Sequence, residues 1–160
     1  NHIQEKMSEI VVALETMRAL VEKSENDATL DEWGSLRPNE VPLQIASTIF
    51  PKLSPRFSEI IQIFGASGMI SIPTENAFQS SIRPDLDQYL QSTTKNAEER
   101  TKIFRLAWDA TMSAFGTRQT QYERFFYGDP VRLATDLYKA YPKQQYVKNV
   151  SEFLKLKKED

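Results

Sequence analysis

The sequence contains no cysteine and only one histidine, His2, among its 160 residues. The first absence excludes disulfides, thiolate metal sites and cysteine nucleophiles, and it permits a reducing compartment. The second leaves no orienting partner or companion ligand for His2, and no imidazole base elsewhere for a serine hydrolase triad. A dominant charge sign is missing too. Against 22 Asp and Glu stand 20 Lys and Arg, a net charge of −2, which gives no electrostatic push toward DNA, RNA or anionic lipid. Neither nucleic acid nor a membrane is therefore expected as a partner. No apolar run approaches the ~18 residues of a membrane span, and the opening NHIQEKMSEI is too charged for a signal-peptide core. A cytoplasmic location is expected. Sustained strand alternation, internal repeats and low-complexity tracts are all absent.

What is present is helical periodicity. Ile3, Met7, Ile10, Val11, Leu14, Met17 and Val21 recur at spacings of three and four, the stripe of a long first helix. That pattern is already under way at Ile3 with no Ser, Thr or Asp cap before it, so the chain reads as a C-terminal fragment of something longer. Asn26 to Asn39 reads as a loop, with Leu30, Trp33 and Leu36 pinning it to the core. Pro42 to Phe50 predicts a short helix ended by Pro51, and Ser54-Pro55 opens a second one running to Phe64. Gly65 to Gly68 stops it, Met69 to Ile72 follows as an extended stretch, and a small helix spans Arg83 to Leu90. Asn96 with Glu99 forms a capping box for a helix through Ala114, apolar on two faces and so expected to be sandwiched, either centrally in the bundle or between subunits. Asp129-Pro130 starts another helix, which Pro142 ends, and Tyr146 to Leu156 is the last. The fold class predicted is all-α, a four-helix-bundle-type single domain over residues 1–160. At ~150 residues such a domain hides about two-thirds of its unfolded surface.

Few residues could carry chemistry. The pairs Glu98 with Glu99 and Glu15 with Glu22 fall on solvated helix faces, which argues against acid–base work of the glycosidase type. Two glycine-bearing segments remain. Gln62, Gly65, Ser67 and Gly68 would allow close backbone approach by a diphosphate, or simply form a helix C-cap and turn. Gly116, Thr117, Arg118 and Gln119 place a glycine beside a cation and hydrogen-bonding side chains, which fits a ligand contact or a kink with Arg118 in an ion pair. Around the second segment, Ser113 to Pro130 crowds Phe115, Tyr122, Phe125, Phe126 and Tyr127 among Arg118 and Arg124, an apolar surface with placed polar groups.

At these residues the chain resembles the C-terminal domain of the 4-hydroxyphenylacetate 3-monooxygenase large-component family, flavin-dependent aromatic hydroxylases on the acyl-CoA dehydrogenase fold. Four blocks carry the likeness in order: HIQEKMSEIVVALETMRA, EIIQIFGASGMISIPTE, AEERTKIFRLAWD and SAFGTRQTQYERFFYGDPVR. They cover nearly all of the chain, and FGTRQ, YERFF and GDPVR together are the most specific part. The resemblance implies a four-helix C-terminal domain that packs the subunits of a homo-oligomer, a tetramer, and lends contacts to FAD. It puts the phenol-activating residues in earlier domains, so no catalytic residue is expected here. Gln62, Gly65, Ser67 and Gly68 are the implied diphosphate contacts, with Ala66 standing where the wider fold has a second glycine; Gly116, Thr117, Arg118 and Gln119 are the second flavin contacts. The implied parent reaction is phenol ortho-hydroxylation by O2 and reduced FAD, supplied by a separate flavin reductase. Two other readings are a free-standing helical self-association module and the same domain of a 4-hydroxybutyryl-CoA dehydratase relative.

Overall fold

A computed structural model describes residues 1–156. The chain runs α1 (His2–Asn26), β1 (Thr29–Leu30), β2 (Leu36–Arg37), α2 (Glu40–Gly65), a 3-10 turn (Ala66–Met69), α3 (Glu75–Phe78), α4 (Arg83–Leu90), α5 (Ala97–Thr111), α6 (Ala114–Phe125), α7 (Pro130–Ala140) and α8 (Gln144–Phe153). The all-α expectation holds, with one small antiparallel ribbon added.

α2 is the hub, packing against α1, α5, α6 and α7, with α4 set on α5. It is one continuous helix, not the two expected on either side of Pro51. Asn39 caps it, its side chain accepting from the Val41 N–H at 3.0 Å. Pro51 and Pro55 lie inside, where each removes a backbone donor at a cost of about 3 kcal/mol in an isolated helix. Packing on four neighbouring helices outweighs that local penalty, and Pro51 is itself buried in the contact. The helix ends at Gly65 as expected. The predicted extended stretch does not form at once, because the chain first makes the 3-10 turn that seats Met69 in the core.

The segment between α1 and α2 departs from expectation in a second way. Leu30, Trp33 and Leu36 do not pin a loop to the core; they are 70%, 78% and 69% exposed. Local hydrogen bonding is enough to hold this segment without a core. Leu30 pairs with Leu36 across the ribbon, the Asp31 carboxylate accepts from the N–H groups of Trp33 and Ser35, and Gly34 supplies the left-handed turn at φ 77°. At the base, the buried Ser24 hydroxyl donates to the Asn39 carbonyl at 2.7 Å, and Asn39 N–H returns a bond to Ser24.

The capping box at Asn96 and Glu99 is present in both directions, and Asp129 caps α7 through the Val131 and Arg132 N–H groups. α5 stops at Thr111, three residues before the expected Ala114. Its second apolar face is bare among the described residues, since Ile103 and Leu106 are exposed while Phe104 and Trp108 are partly covered. α8 begins at Gln144, slightly ahead of the expected start, and makes no substantial contact with the other elements.

The accessible surface is 12353 Å², against roughly 8,200 Å² for a compact monomer of this mass. Only a little over half of the ~27,000 Å² of an unfolded chain this size is hidden, short of the two-thirds expected. The reason is visible on α1, where Ile3, Met7, Val11, Leu14 and Val21 all lie open.

α1 is tied to α2 by charge as well as packing. Arg56 donates twice to Glu9, at 2.8 and 3.1 Å, and pairs with Glu59 at 2.7 Å, while Lys6 reaches Glu9 at 2.7 Å. The Arg56 hydrogen bonds, then that from Lys6, hold the Glu9 carboxyl down to about 2 from its ordinary 4.5. A depressed carboxyl stabilises the fold above its unfolded value and loses that contribution as pH falls toward the folded one. Between pH 4.5 and 2, melting temperature is therefore expected to fall more steeply in the native protein than in Glu9→Gln. Equal slopes in a thermal-melt series against pH would show that the pair contributes nothing.

Candidate functional site

The site is organised by the joint between α5 and α6. Ser113 leaves the helical conformation (φ −69°, ψ 172°) and caps α6 through the Gly116 N–H at 3.1 Å, while its own hydroxyl donates to the Asp109 carbonyl at 2.6 Å. One buried hydroxyl thus closes the end of one helix and opens the next. The break in the helical pattern falls here and not at Gly116, which sits inside the first turn of α6. The kink expected at Gly116 is absent. Glycine is required there for another reason: a Cβ would lie 2.6 Å from the Ala110 carbonyl carbon and the Thr111 nitrogen.

α6 then runs back along α2. Gln62 Nε2 donates to the Thr111 carbonyl at 3.1 Å, satisfying one of the orphan acceptors at the end of α5, and Ser58 meets Thr120 at 3.2 Å. Between the two helices lies a groove of about 580 Å³, lined by Lys52, Pro55, Arg56, Ser58, Glu59, Gln62, Thr111, Thr117, Thr120, Gln121 and Arg124. Ligand sites commonly fall within ~300–1,000 Å³.

The structure brings together only some of the residues singled out from the sequence. Gln62 and Thr117 share this groove, although the Thr117 hydroxyl is already used in donating to the Ser113 carbonyl at 2.8 Å. Gly116, Thr117, Arg118 and Gln119 are consecutive helical residues, and at ~100° per residue they sweep around the axis and cannot share one face. Arg118 is exposed and forms no ion pair among the described residues; Gln119 donates along the helix to Glu123 at 2.7 Å. Ser67 is exposed on the 3-10 turn. The spaces beside Gly65 and Gly68 are filled from within the chain: a Cβ on Gly65 would meet the Met69 side chain, and one on Gly68 would meet the Phe104 ring. Gly68 also borders a small cleft of about 70 Å³ with Leu90, Arg100 and Phe104. Any ligand reaching these two glycines does so along the backbone, not through their missing side chains.

Arg124 was marked in the sequence as a polar group on this surface, whereas Lys52, Arg56, Ser58, Glu59, Thr120 and Gln121 were missed. A signal was available, because Lys52, Arg56, Glu59 and Gln62 recur at helical spacing, but the break assumed at Pro51 to Ser54 hid the stripe. The aromatics near Arg124 pack as a chain: Tyr122 against Phe126 at 5.2 Å, Phe126 against Tyr127 at 5.0 Å, and Tyr127 edge-on to Phe50 of α2 at 6.2 Å. The carboxylate pairs serve structure, Glu99 in its capping box, Glu98 with Lys102 and Arg83, and Glu15 with Arg18. His2 is exposed, 3.8 Å from Glu5. Among the described residues no helix is long and apolar enough to cross a membrane.

The chain is 67% identical over 153 residues to a probable 4-hydroxyphenylacetate 3-monooxygenase of Bacillus subtilis, covering 96% of this chain and 32% of that protein. Against the 4-hydroxyphenylacetate 3-monooxygenase oxygenase component of Thermus thermophilus the identity is 46%, with the same coverage. A crystal structure of the oxygenase component HpaB complexed with FAD superposes with a TM-score of 0.90 at 45% identity, covering 97% of this chain and 33% of that one. An archaeal 4-hydroxybutyryl-CoA dehydratase shares the fold, with a TM-score of 0.84 at 20% identity. The chain spans about a third of the length of the curated relatives it matches. The sequence profile of the 4-hydroxyphenylacetate 3-hydroxylase C-terminal family matches residues 1–155, and the chain belongs to that family.

Proposed function

We propose that this chain is the FAD-contacting and self-associating helical part of a two-component monooxygenase that ortho-hydroxylates a phenol of the 4-hydroxyphenylacetate type. Reduced FAD, delivered by a separate flavin reductase, supplies the oxygen-transfer chemistry when bound. This chain's own residues bind and orient, and none is assigned a catalytic role. The observation that carries the reading is the α2–α6 groove, which joins amide, hydroxyl and cationic side chains in a fold shared with an FAD-complexed oxygenase. That donor set suits the polar edges and phosphates of a flavin nucleotide. Gln62 and Thr117 face the flavin from the groove, Arg118 offers an uncommitted guanidinium beside it, and Gly65, Ser67, Gly68, Gly116 and Gln119 contribute backbone or peripheral contacts.

Self-association is the second half of the proposal. The excess of accessible surface and the bare apolar stripes of α1 and α5 are what a homo-oligomer, a tetramer in the parent, would cover. A flavin titration combined with sedimentation tests both halves. FAD is expected to bind saturably and Arg118→Ala to weaken it several-fold at unchanged melting temperature, while sedimentation shows oligomers. Unchanged flavin affinity with lost thermal stability would make Arg118 structural. Oligomers without flavin binding would leave a helical association module, and a monodisperse monomer at high concentration would remove the association claim.

A further inference from the structure

We infer that the α2–α6 groove is a two-ended site for a phosphate-bearing ligand, and that Lys52 and Arg124 form its anion-recognising end. The inference rests on the flavin reading of the groove; it seats the ring at the Gln62 end, where the family resemblance implied a diphosphate contact, and adds a separate locus of specificity. Two contacts fix the geometry. Gln62 of α2 reaches Thr111, just before α6 begins, and Ser58 meets Thr120 further along, so the two helices run in opposite directions. Six residues back from Ser58 is Lys52, and four residues on from Thr120 is Arg124. At about 1.5 Å per residue those steps are about 9 and about 6 Å in the same direction. The two cations thus share one mouth of the groove, about 15 Å along α2 from Gln62.

The charges along the groove are unequally committed. Arg56, midway, is neutralised by Glu9 and Glu59, and its guanidinium in turn occupies Glu59, the carboxylate of the groove wall. Lys52 and Arg124 take part in no ion pair among the described residues. A chain of net charge −2 therefore keeps two uncommitted cations at one end of a cleft whose other end is uncharged amide and hydroxyl. That polarity matches a ligand with a neutral hydrogen-bonding head and an anionic tail. Arg supplies a planar fork and Lys a point charge, the pair suited to phosphate oxygens.

Calorimetric titration with inorganic pyrophosphate, FMN and riboflavin separates the two ends. The native chain is expected to bind pyrophosphate saturably and FMN at least tenfold more tightly than riboflavin. In Lys52→Gln/Arg124→Gln, pyrophosphate and FMN should weaken by at least tenfold while riboflavin is unchanged. Both side chains are exposed, and the melting temperature verifies the fold; should the double variant unfold, each single variant reads the same contrast. Pyrophosphate affinity that survives the double substitution, or that never saturates, overturns the anion seat. So does riboflavin binding equal to that of FMN, which leaves the flavin reading standing. Pyrophosphate binding lost in the variant, with neither flavin bound by the native chain, upholds the seat and removes the flavin reading.

Discussion

Gly116→Ala is expected to destabilise the protein by up to about 2 kcal/mol, despite placing a better helix former in a helix. Helix propensity alone would favour alanine by about 1 kcal/mol. Against that, the new Cβ would lie 2.6 Å from the Ala110 carbonyl carbon and the Thr111 nitrogen, and 2.7 Å from the Ala110 oxygen. All three are backbone atoms at the end of α5, so no rotamer change relieves the overlap, and overpacking of this kind costs ~1–3 kcal/mol or more. Relief requires α6 to move off α5, which strains the Ser113 hydroxyl bond to the Gly116 N–H. Gly65→Ala is the comparison, because its Cβ would meet the Cγ and Sδ of the buried Met69, a side chain that can repack where backbone cannot. Urea unfolding midpoints should separate the two variants clearly; a Gly116→Ala protein as stable as the native one would show that the α5–α6 approach is soft.

The second large effect is expected at Ile60. It is 0% exposed and sits on α2, the helix on which α1, α5, α6 and α7 pack. Ile60→Ala removes buried methyl groups and leaves a cavity, a change worth about 2–5 kcal/mol. The other buried hydrophobics, Ala13, Ala46, Met69 and Ala97, are small or flexible, so among the described residues Ile60 carries the largest rigid apolar side chain wholly removed from water. We expect a loss toward the upper part of that range by chemical denaturation, with an unchanged dependence on denaturant. A loss below ~1 kcal/mol would mean that the hub closes over the gap.

Sequence reasoning succeeded where the determinant is local. The Asn96 and Glu99 box and the Asp129-Pro130 start work through atoms within three residues of each other, and both helices begin where that chemistry puts them. It failed at Pro51 and Pro55, where a local rule was overridden by burial against helices distant in sequence. The hairpin failed in the opposite sense: apolar side chains suggested burial, but Asp31 and Gly34 make the ribbon stable without it. For the site, Gln62 and Thr117 were legible as residue types, whereas their joint groove with Lys52 and Arg124 needed the pairing of α2 with α6. The glycine pattern suggested approach by a ligand, and the structure shows its side-chain spaces filled by Met69, Phe104 and the α5 backbone.

The unusually large surface has a thermodynamic consequence. Unfolding heat capacity scales with the area newly wetted, about 12–15 cal/mol/K per residue in ordinary domains. A chain that already leaves Ile3, Met7, Val11, Leu106 and Phe153 in water has less apolar area left to expose, so its stability curve against temperature is flatter than its length implies. If copies of the chain cover those stripes, as proposed above, the curvature returns and the midpoint rises with protein concentration.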